Sequence, residues 1–219
     1  MQDDRSFLDH VLSTTRSIRW RMDLDRQVER ETLVECIRLA TFAPNASNAQ
    51  DWRWIVIDAP EVKRFVAERY RAGMMETMRA LLAERERNGD EAGVRHSRAT
   101  IHLGEVLERV PIHVIPCMRG RIEEDPSLGK VTRLLGSIYP AVWSFQLALR
   151  GRGLGSTLTT SHLLAEREVG ERLGVPSDYT QVALIPVAYI KGGELSPPPA
   201  STRRRGDRLE QVVRAAELG

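Results

Sequence analysis

The sequence predicts a mixed sheet covered by helices on both faces. Four short runs rich in β-branched and aromatic residues lie among about six segments with helical periodicity. The runs do not alternate strictly with single helices, so a purely parallel sheet is not expected. Four strands make a small sheet for 219 residues, and a strand lent by a partner subunit is one remedy.

The chain opens on an amphipathic helix from Asp3 to about Thr14, where Phe7, Leu8, Val11 and Leu12 recur at helical spacing. A second helix runs from about Arg26 to Thr41, with Val28, Leu33, Ile37 and Ala40 on one stripe, and Pro44 stops it. APNASNAQDW, from Ala43, is small and polar and reads as a loop. WRWIVID, Trp52 to Asp58, is the first strand. Phe65, Val66, Tyr70, Met74, Met78 and Leu81 mark a helix from Val62 to about Glu86. Asn88 to Arg95 loses periodicity, gains charge and is expected to be an exposed, mobile connection. A further helix covers Ser97 to Arg109, Pro111 to Cys117 is the second strand, and Gly120 to Lys130 is a loop.

Val131 to Arg150 is expected to be the longest helix. Its apolar residues fall on more than one face, which fits a core or a subunit interface. GLGSTLTT, Gly153 to Thr160, is the third strand. A short helix lies around Ala165 to Leu173, and Gln181 to Ile190 is the fourth strand. From Glu194 the tail is Pro-rich, then basic and apolar.

The length fits one large domain or two small ones; without repeats or a clear linker, residues 1–219 are expected to form one domain. A net charge of +2 gives no electrostatic case for nucleic acid or membrane, and no run reaches the ~20 apolar residues of a membrane helix. Cys36 and Cys117 read as buried thiols in a reducing compartment. With no signal-like apolar run in Met1 to Thr15, a soluble cytoplasmic protein is expected.

GRGLGS, Gly151 to Ser156, follows a helix and enters a strand, the reverse of a dinucleotide loop; it reads as a helix end and a tight turn. The five histidines lack zinc spacing, so no protein-borne metal is expected. Arg203 to Arg205 could be a nucleic-acid tail, surface charge, or a ligand for a bound phosphate. The pieces left are Arg16-Ser17-Ile18-Arg19, Asn45 to Gln50 and the arginines near 204. Forked guanidinium donors suit a phosphate, and amides and hydroxyls suit a heteroaromatic edge. A phosphorylated planar cofactor would use all of them.

These residues resemble the FMN-dependent nitroreductase family, including its iodotyrosine deiodinase-like branch. TRSIR resembles the N-terminal flavin motif, and LATFAPNASNAQDWRWIVI the helix, loop and first strand. GRGLGSTLTT resembles the strand entering the flavin site, GERLGVP the helix after it, and VALIPVAYI with RRRGDRLEQVV the last core strand and basic C-terminal segment. The matches keep their order from residue 14 to 213. Departures are Gln50-Asp51-Trp52 for the usual Gln-Pro-Trp, Trp143-Ser144 for a Gln-Asn pair, and Thr15 where arginine is frequent.

The resemblance implies an α+β fold and an obligate homodimer with FMN at the interface and C-terminal segments exchanged. It implies a ping-pong cycle in which NADH or NADPH reduces the flavin and a nitroaromatic, quinone or related small-molecule acceptor reoxidises it. Reductive dehalogenation, flavin reduction or non-catalytic FMN storage are alternatives on the same fold. Arg16, Ser17 and Arg19 would hold the flavin phosphate and ring, and Asn45 and Asn48 would come from the partner subunit. Thr159 and Thr160 would stand beside the reactive edge as catalytic groups. Arg205, with Arg203 and Arg204 close behind, would reach the phosphate from the tail at about 194–219. Residues 73–102 correspond to a lid, and Arg21 lies outside the motif, on the surface.

Overall fold

A computed structural model of the chain describes residues 2–124, 126–193 and 195. Its helices are α1 (Gln2–Thr14), α2 (Arg30–Ala40), α3 (Pro60–Arg87), α4 (Glu91–Val106), α5 (Leu128–Arg150) and α6 (Glu166–Leu173). Its strands are β1 (Trp52–Ile57), β2 (Ile112–Arg119), β3 (Leu154–Ser156), β4 (Tyr179–Gln181) and β5 (Ile185–Tyr189). Arg16–Gly192 forms one compact unit, and Met1–Thr15 with the residues from Gly193 onward forms a second. In the second unit, the hydroxyls of Ser13 and Thr14 donate to the His10 carbonyl, and that of Thr15 to Val11, where α1 ends.

In the larger unit the strand order is β1-β2-β5-β3, and β4 also pairs with β2. Every pairing among the described strands is antiparallel, so the expected mixed sheet is instead an antiparallel one. The reason lies in the connections. A pair of helices, α3 and α4, separates β1 from β2 and returns the chain in the opposite direction. The single helix α5 does bring β3 back parallel to β2, but β5 lies between them. The architecture is α+β.

β2 is buried along nearly its whole length, with helices on both faces. One face sends Ile112, Val114 and Met118 into a core with Leu33 of α2 and Ile138 and Phe145 of α5. The other face carries His113, whose ring Nε2 lies 2.8 Å from the Leu107 carbonyl in the turn after α4.

The predicted fourth strand is broken in two. Val114 faces Ile185 and Cys117 faces Gln181, so Ile115 and Pro116 oppose three residues, 182–184. One residue is extra, which makes a β-bulge. Pro116 has no N–H for the ladder, and Leu184 pairs instead with Thr159. The predicted third strand is likewise only three residues long, and Thr159 rejoins the sheet by that single bridge.

Three other expectations change. α2 begins at Arg30 rather than near Arg26, because the Asp23 carboxylate accepts from the amides of Asp25 and Arg26 and holds a turn there. The longest helix is α3, with 28 residues against 23 for α5. Asn88 to Arg95 is no long connection: α4 starts at Glu91, capped by Asp90, whose side chain accepts from Gly93 N–H. Arg85 donates to the Ser97 hydroxyl and Arg98 to Glu86, tying the helical pair together.

Candidate functional site

The Arg16–Arg19 segment lies against β3. Ile18 N–H donates to the Ser156 carbonyl at 2.9 Å. Gly155 permits this approach: a Cβ there would stand 3.0 Å from the Ile18 side chain and 2.9 Å from that of Ile190. Gly151 caps α5 and Gly153 turns at φ +75°, as the helix-end reading of GRGLGS expects. Ile18 points inward, and Arg16 and Ser17 are exposed.

Arg19 is half-buried, and its Nε has no hydrogen-bond partner. Burial lowers its pKa, and the nearby Tyr70 phenol works the other way. Tyr70 is fully buried on α3. Thr159 Oγ1 donates to the Tyr70 oxygen across a long 3.4 Å. Burial raises the Tyr70 pKa, opposed by its hydrogen bonds with Thr159 and Ser161 and by the Arg19 charge. Thr159 is fixed through its backbone, which exchanges 2.9 and 2.7 Å bonds with Leu184. Thr160 is exposed at the mouth of a cleft of about 590 Å³ lined by Leu135, Tyr139, Leu163 and Leu164. Thr157 Oγ1 is buried without a partner.

Arg21 is not the free surface charge expected. Its Nε donates to the Lys191 carbonyl at 2.7 Å, next to the Met22–Ile190 bridge. Trp20, exposed, stacks on His102 of α4 with ring centroids 3.9 Å apart.

Arg121 forms the floor behind Thr160. It donates twice to Glu166 at 2.9 Å and once to the Tyr179 carbonyl at 2.5 Å, and it also pairs with Glu123. Its pKa is raised, chiefly by Glu166. Burial pushes the Glu166 pKa up, but the Arg121 bond and the Gln181 N–H outweigh it and the net direction is down. Nearby His113 and His162 are both fully buried, and desolvation holds each pKa at about 4. Neither ring nitrogen of His162 has a partner.

Asn45 and Asn48 lie elsewhere, in the loop before β1. Asn45 Oδ1 accepts from Gln50 N–H at 2.9 Å, and the Gln50 amide donates to Asn48 Oδ1 at 3.2 Å. Ala46 N–H donates to the Ser137 hydroxyl on α5. Ser47, Asn48 and Gln50 hold φ of 58°, 49° and 50°. These hydrogen bonds tie the loop to itself and to α5 rather than to Arg19 or Thr159. It borders a separate cleft of about 220 Å³, and Arg121 and Ile122 line both clefts. A larger cleft of about 730 Å³, beside Val34, Val56 and Lys63, holds none of the candidate residues.

The structure therefore sets the Arg16–Arg19 segment along β3, brings Thr159 to the Tyr70 phenol near Arg19, places Thr160 on the cleft of Leu135 and Tyr139, and leaves Asn45 and Asn48 in the loop before β1. Arg203, Arg205 and nearly all of the 194–219 tail lie outside the described residues. In the expected lid, Met74 and Met75 are buried helix core. No group of three metal-ligating side chains occurs among the described residues. Tyr70 and the Arg121–Glu166 pair went unsingled in the sequence. A tyrosine inside an apolar stripe was the one available signal for Tyr70, since a buried phenol needs a partner.

A flavin phosphate and ring edge require cationic and hydroxyl donors over an ordered backbone. Exposed Arg16 and Ser17, the unpartnered Arg19 Nε and the Thr159 and Thr160 hydroxyls supply that donor set, so the residues fit the group.

The profile of the Nitroreductase family matches residues 12–189. The chain is 28% identical over 182 residues to "Putative NAD(P)H nitroreductase YdgI" of Bacillus subtilis (strain 168), covering 81% of this chain and 85% of that one. Its fold is similar to that of iodotyrosine deiodinase bound to FMN and 3-iodo-L-tyrosine, with a TM-score of 0.67, 19% identity and coverage of 88% and 94%. A nitroreductase with bound FMN from Desulfitobacterium hafniense DCB-2 superposes with a TM-score of 0.63, 18% identity and coverage of 90% and 95%. Among the described residues, no helix is long and apolar enough to cross a membrane.

Proposed function

Because the chain belongs to the nitroreductase family, we propose that it is an FMN-dependent oxidoreductase that uses NADH or NADPH in a ping-pong cycle to reduce nitroaromatics, quinones or related electron-poor compounds. The observation that carries this reading is the Arg16–Arg19 segment, bonded along β3 through Ile18, with Thr159 held just beyond that strand. The FMN named in two of the similar structures and the NAD(P)H in the name of the Bacillus relative support it.

When bound, FMN supplies a ring that takes a hydride from the nicotinamide and gives electrons to the acceptor. The chain's residues hold and tune that ring. Arg16 and Ser17, both exposed, bind the phosphate side. Thr159 and Thr160 offer hydroxyl protons to the reactive edge, and the Leu184 bridge keeps Thr159 from drifting. Leu135, Tyr139 and Leu163 give the cleft apolar walls that exclude water.

The working form in this reading is a homodimer. α5 leaves Trp143 44% exposed and Leu128 83% exposed, as suits a helix packed on a second copy. A second copy also gives Asn45 and Asn48 a flavin to meet. The tail beyond residue 194 crosses to the partner and brings Arg205 or Arg203 to the phosphate, and residues 73–102 act as the lid.

Reconstitution tests the reading. Purified protein is expected to take up one FMN per chain, with bound-flavin absorbance that NADH or NADPH bleaches without oxygen. Arg16→Ala loses a charge-assisted bond of ~1.5–3 kcal/mol and binds FMN about 10- to 100-fold more weakly. Arg21→Ala, which removes the bond to the Lys191 carbonyl, keeps it. A wild-type chain that takes up no flavin sinks the proposal.

A further inference from the structure

Arg19 and Tyr70 make an arrangement that the flavin motif does not require. The motif aims Arg19 at the cofactor. In the structure a fully buried phenol sits against the Thr159 hydroxyl, and the half-buried Arg19 guanidinium is near enough for its charge to act on that phenol. Three groups thus stand in series: a cation, a phenol and the threonine proposed for the flavin edge. Ser161 completes the set from the turn after Thr160.

The bond between Tyr70 and Thr159 has a telling length. Hydroxyl pairs usually sit ~2.5–3.0 Å apart, whereas this pair is at 3.4 Å. Thr159 therefore gives its proton to Tyr70 only weakly and releases it readily to a better acceptor. A nearby cation lowers the cost of turning the phenol so that its lone pairs meet the positive charge and its O–H swings toward Thr159 once Thr159 has another acceptor. Because Tyr70 is wholly buried, water is a poor competitor for either proton.

We propose that Tyr70 is a positioning residue, oriented by Arg19, that decides where Thr159 aims its proton. Without a ligand, Thr159 donates to Tyr70. With an acceptor atom beside β3, Tyr70 turns and donates to Thr159, and Thr159 donates to the acceptor. No proton changes owner; one hydrogen bond reverses direction and one forms. The proposal rests on the reading above, in which the acceptor is an atom at the reactive edge of bound FMN. Arg19 then acts through Tyr70 and Thr159 rather than by gripping the phosphate itself.

The test is the midpoint potential of bound FMN, followed with redox dyes, in holoprotein carrying Tyr70→Phe, Thr159→Val, both together, or Arg19→Met. Tyr70→Phe keeps the ring in its packing and leaves Arg16 and Ser17 in place, so FMN affinity stays within about threefold. The potential is expected to fall, and the rate of flavin reduction by NADH or NADPH, whichever the wild type uses, to drop about 3- to 10-fold, the worth of one hydrogen bond. Thr159→Val matches or exceeds that loss, and adding Tyr70→Phe to it changes nothing further, because Tyr70 acts only through Thr159. Arg19→Met lowers the potential in the same direction, and this arm stands even if Tyr70→Phe folds poorly. A wild-type potential in Tyr70→Phe or in Arg19→Met, or additive losses in the double variant, overturns the inference while FMN binding by the wild type keeps the proposed function. A wild-type chain that binds no FMN overturns both.

Discussion

On the β3 side of the molecule the backbone of the candidate residues is pinned by the sheet. Ile18 is bonded to Ser156, and Thr159 is bonded both ways to Leu184. On the Asn45–Gln50 side the loop is held by its own side chains and by one bond to Ser137, and it includes three non-glycine residues at positive φ. The first half presents hydroxyls and cations in a finished geometry. The second half stores strain and points its amides at one another. Strain of this kind persists where surrounding structure, or a ligand, over-determines it. The contrast is what a site completed by a second subunit would produce, and Arg121, with its neighbour Ile122, lies along both halves.

The largest effect is therefore expected at Arg121. Arg121→Met leaves Glu166, whose side chain is 14% exposed, without its partner. Breaking such a pair costs about 3–5 kcal/mol, read as a lower urea midpoint at pH 7. Thr160 and the loop then loosen together, which hydrogen exchange on both segments detects. Protection lost on one side only would mean that the halves are independent. Acid probes the same pair. The Glu166 pKa is depressed in the folded chain, so its contribution is present above the ordinary carboxylate pKa and is lost as pH falls through the folded value.

Legibility in the sequence follows the same division. β1 and β2 were readable because runs such as WRWIVI and IHVI carry their own β preference. The break between β4 and β5 was not readable, since its cause is a proline on a neighbouring strand and a capture of Leu184 by Thr159. The early start of α4 had a local signal in Asp90, masked by the charged residues around it. Arg16, Ser17, Thr159 and Thr160 are legible only through motif resemblance; the fold sets the Arg16–Arg19 segment along β3 and Thr159 just beyond it. Tyr70 is 89 residues from Thr159 and Arg121 is 45 from Glu166, so no periodicity could pair them. Arg19 is found by motif, but its neighbour Tyr70 belongs to α3, which the motif does not contain.

A middle-sized effect comes from the two buried histidines behind the pinned half. Each has a folded pKa of about 4 against an ordinary 6.5. Between those values the unfolded chain binds protons that the folded chain refuses, so stability falls as pH drops from about 6.5 to about 4. The slope is about 1.4 kcal/mol per pH unit for each histidine. His162→Leu removes an imidazole with no hydrogen bond to lose and is expected to halve the slope, measured from urea midpoints between pH 7 and 5. An unchanged slope would show that His162 gains a proton or a partner while folded.

The smallest effect tests the strained half alone. Ser47 holds φ of 58° and ψ of 17°, a left-handed conformation that costs a side chain roughly 1 kcal/mol and costs glycine almost nothing. Glycine also gains freedom in the unfolded chain, which offsets part of the relief. Ser47→Gly is therefore expected to raise stability by no more than about 0.5 kcal/mol, while Ser47→Val, β-branched at the same angle, lowers it by about 1–2 kcal/mol. Neither change touches the bonds of Ile18 or Thr159, so the pinned half keeps its hydrogen-exchange protection in both variants. If Ser47→Val is neutral, the loop relaxes to another conformation at little cost. The contrast between a finished half and a strained half would then reduce to a difference in exposure.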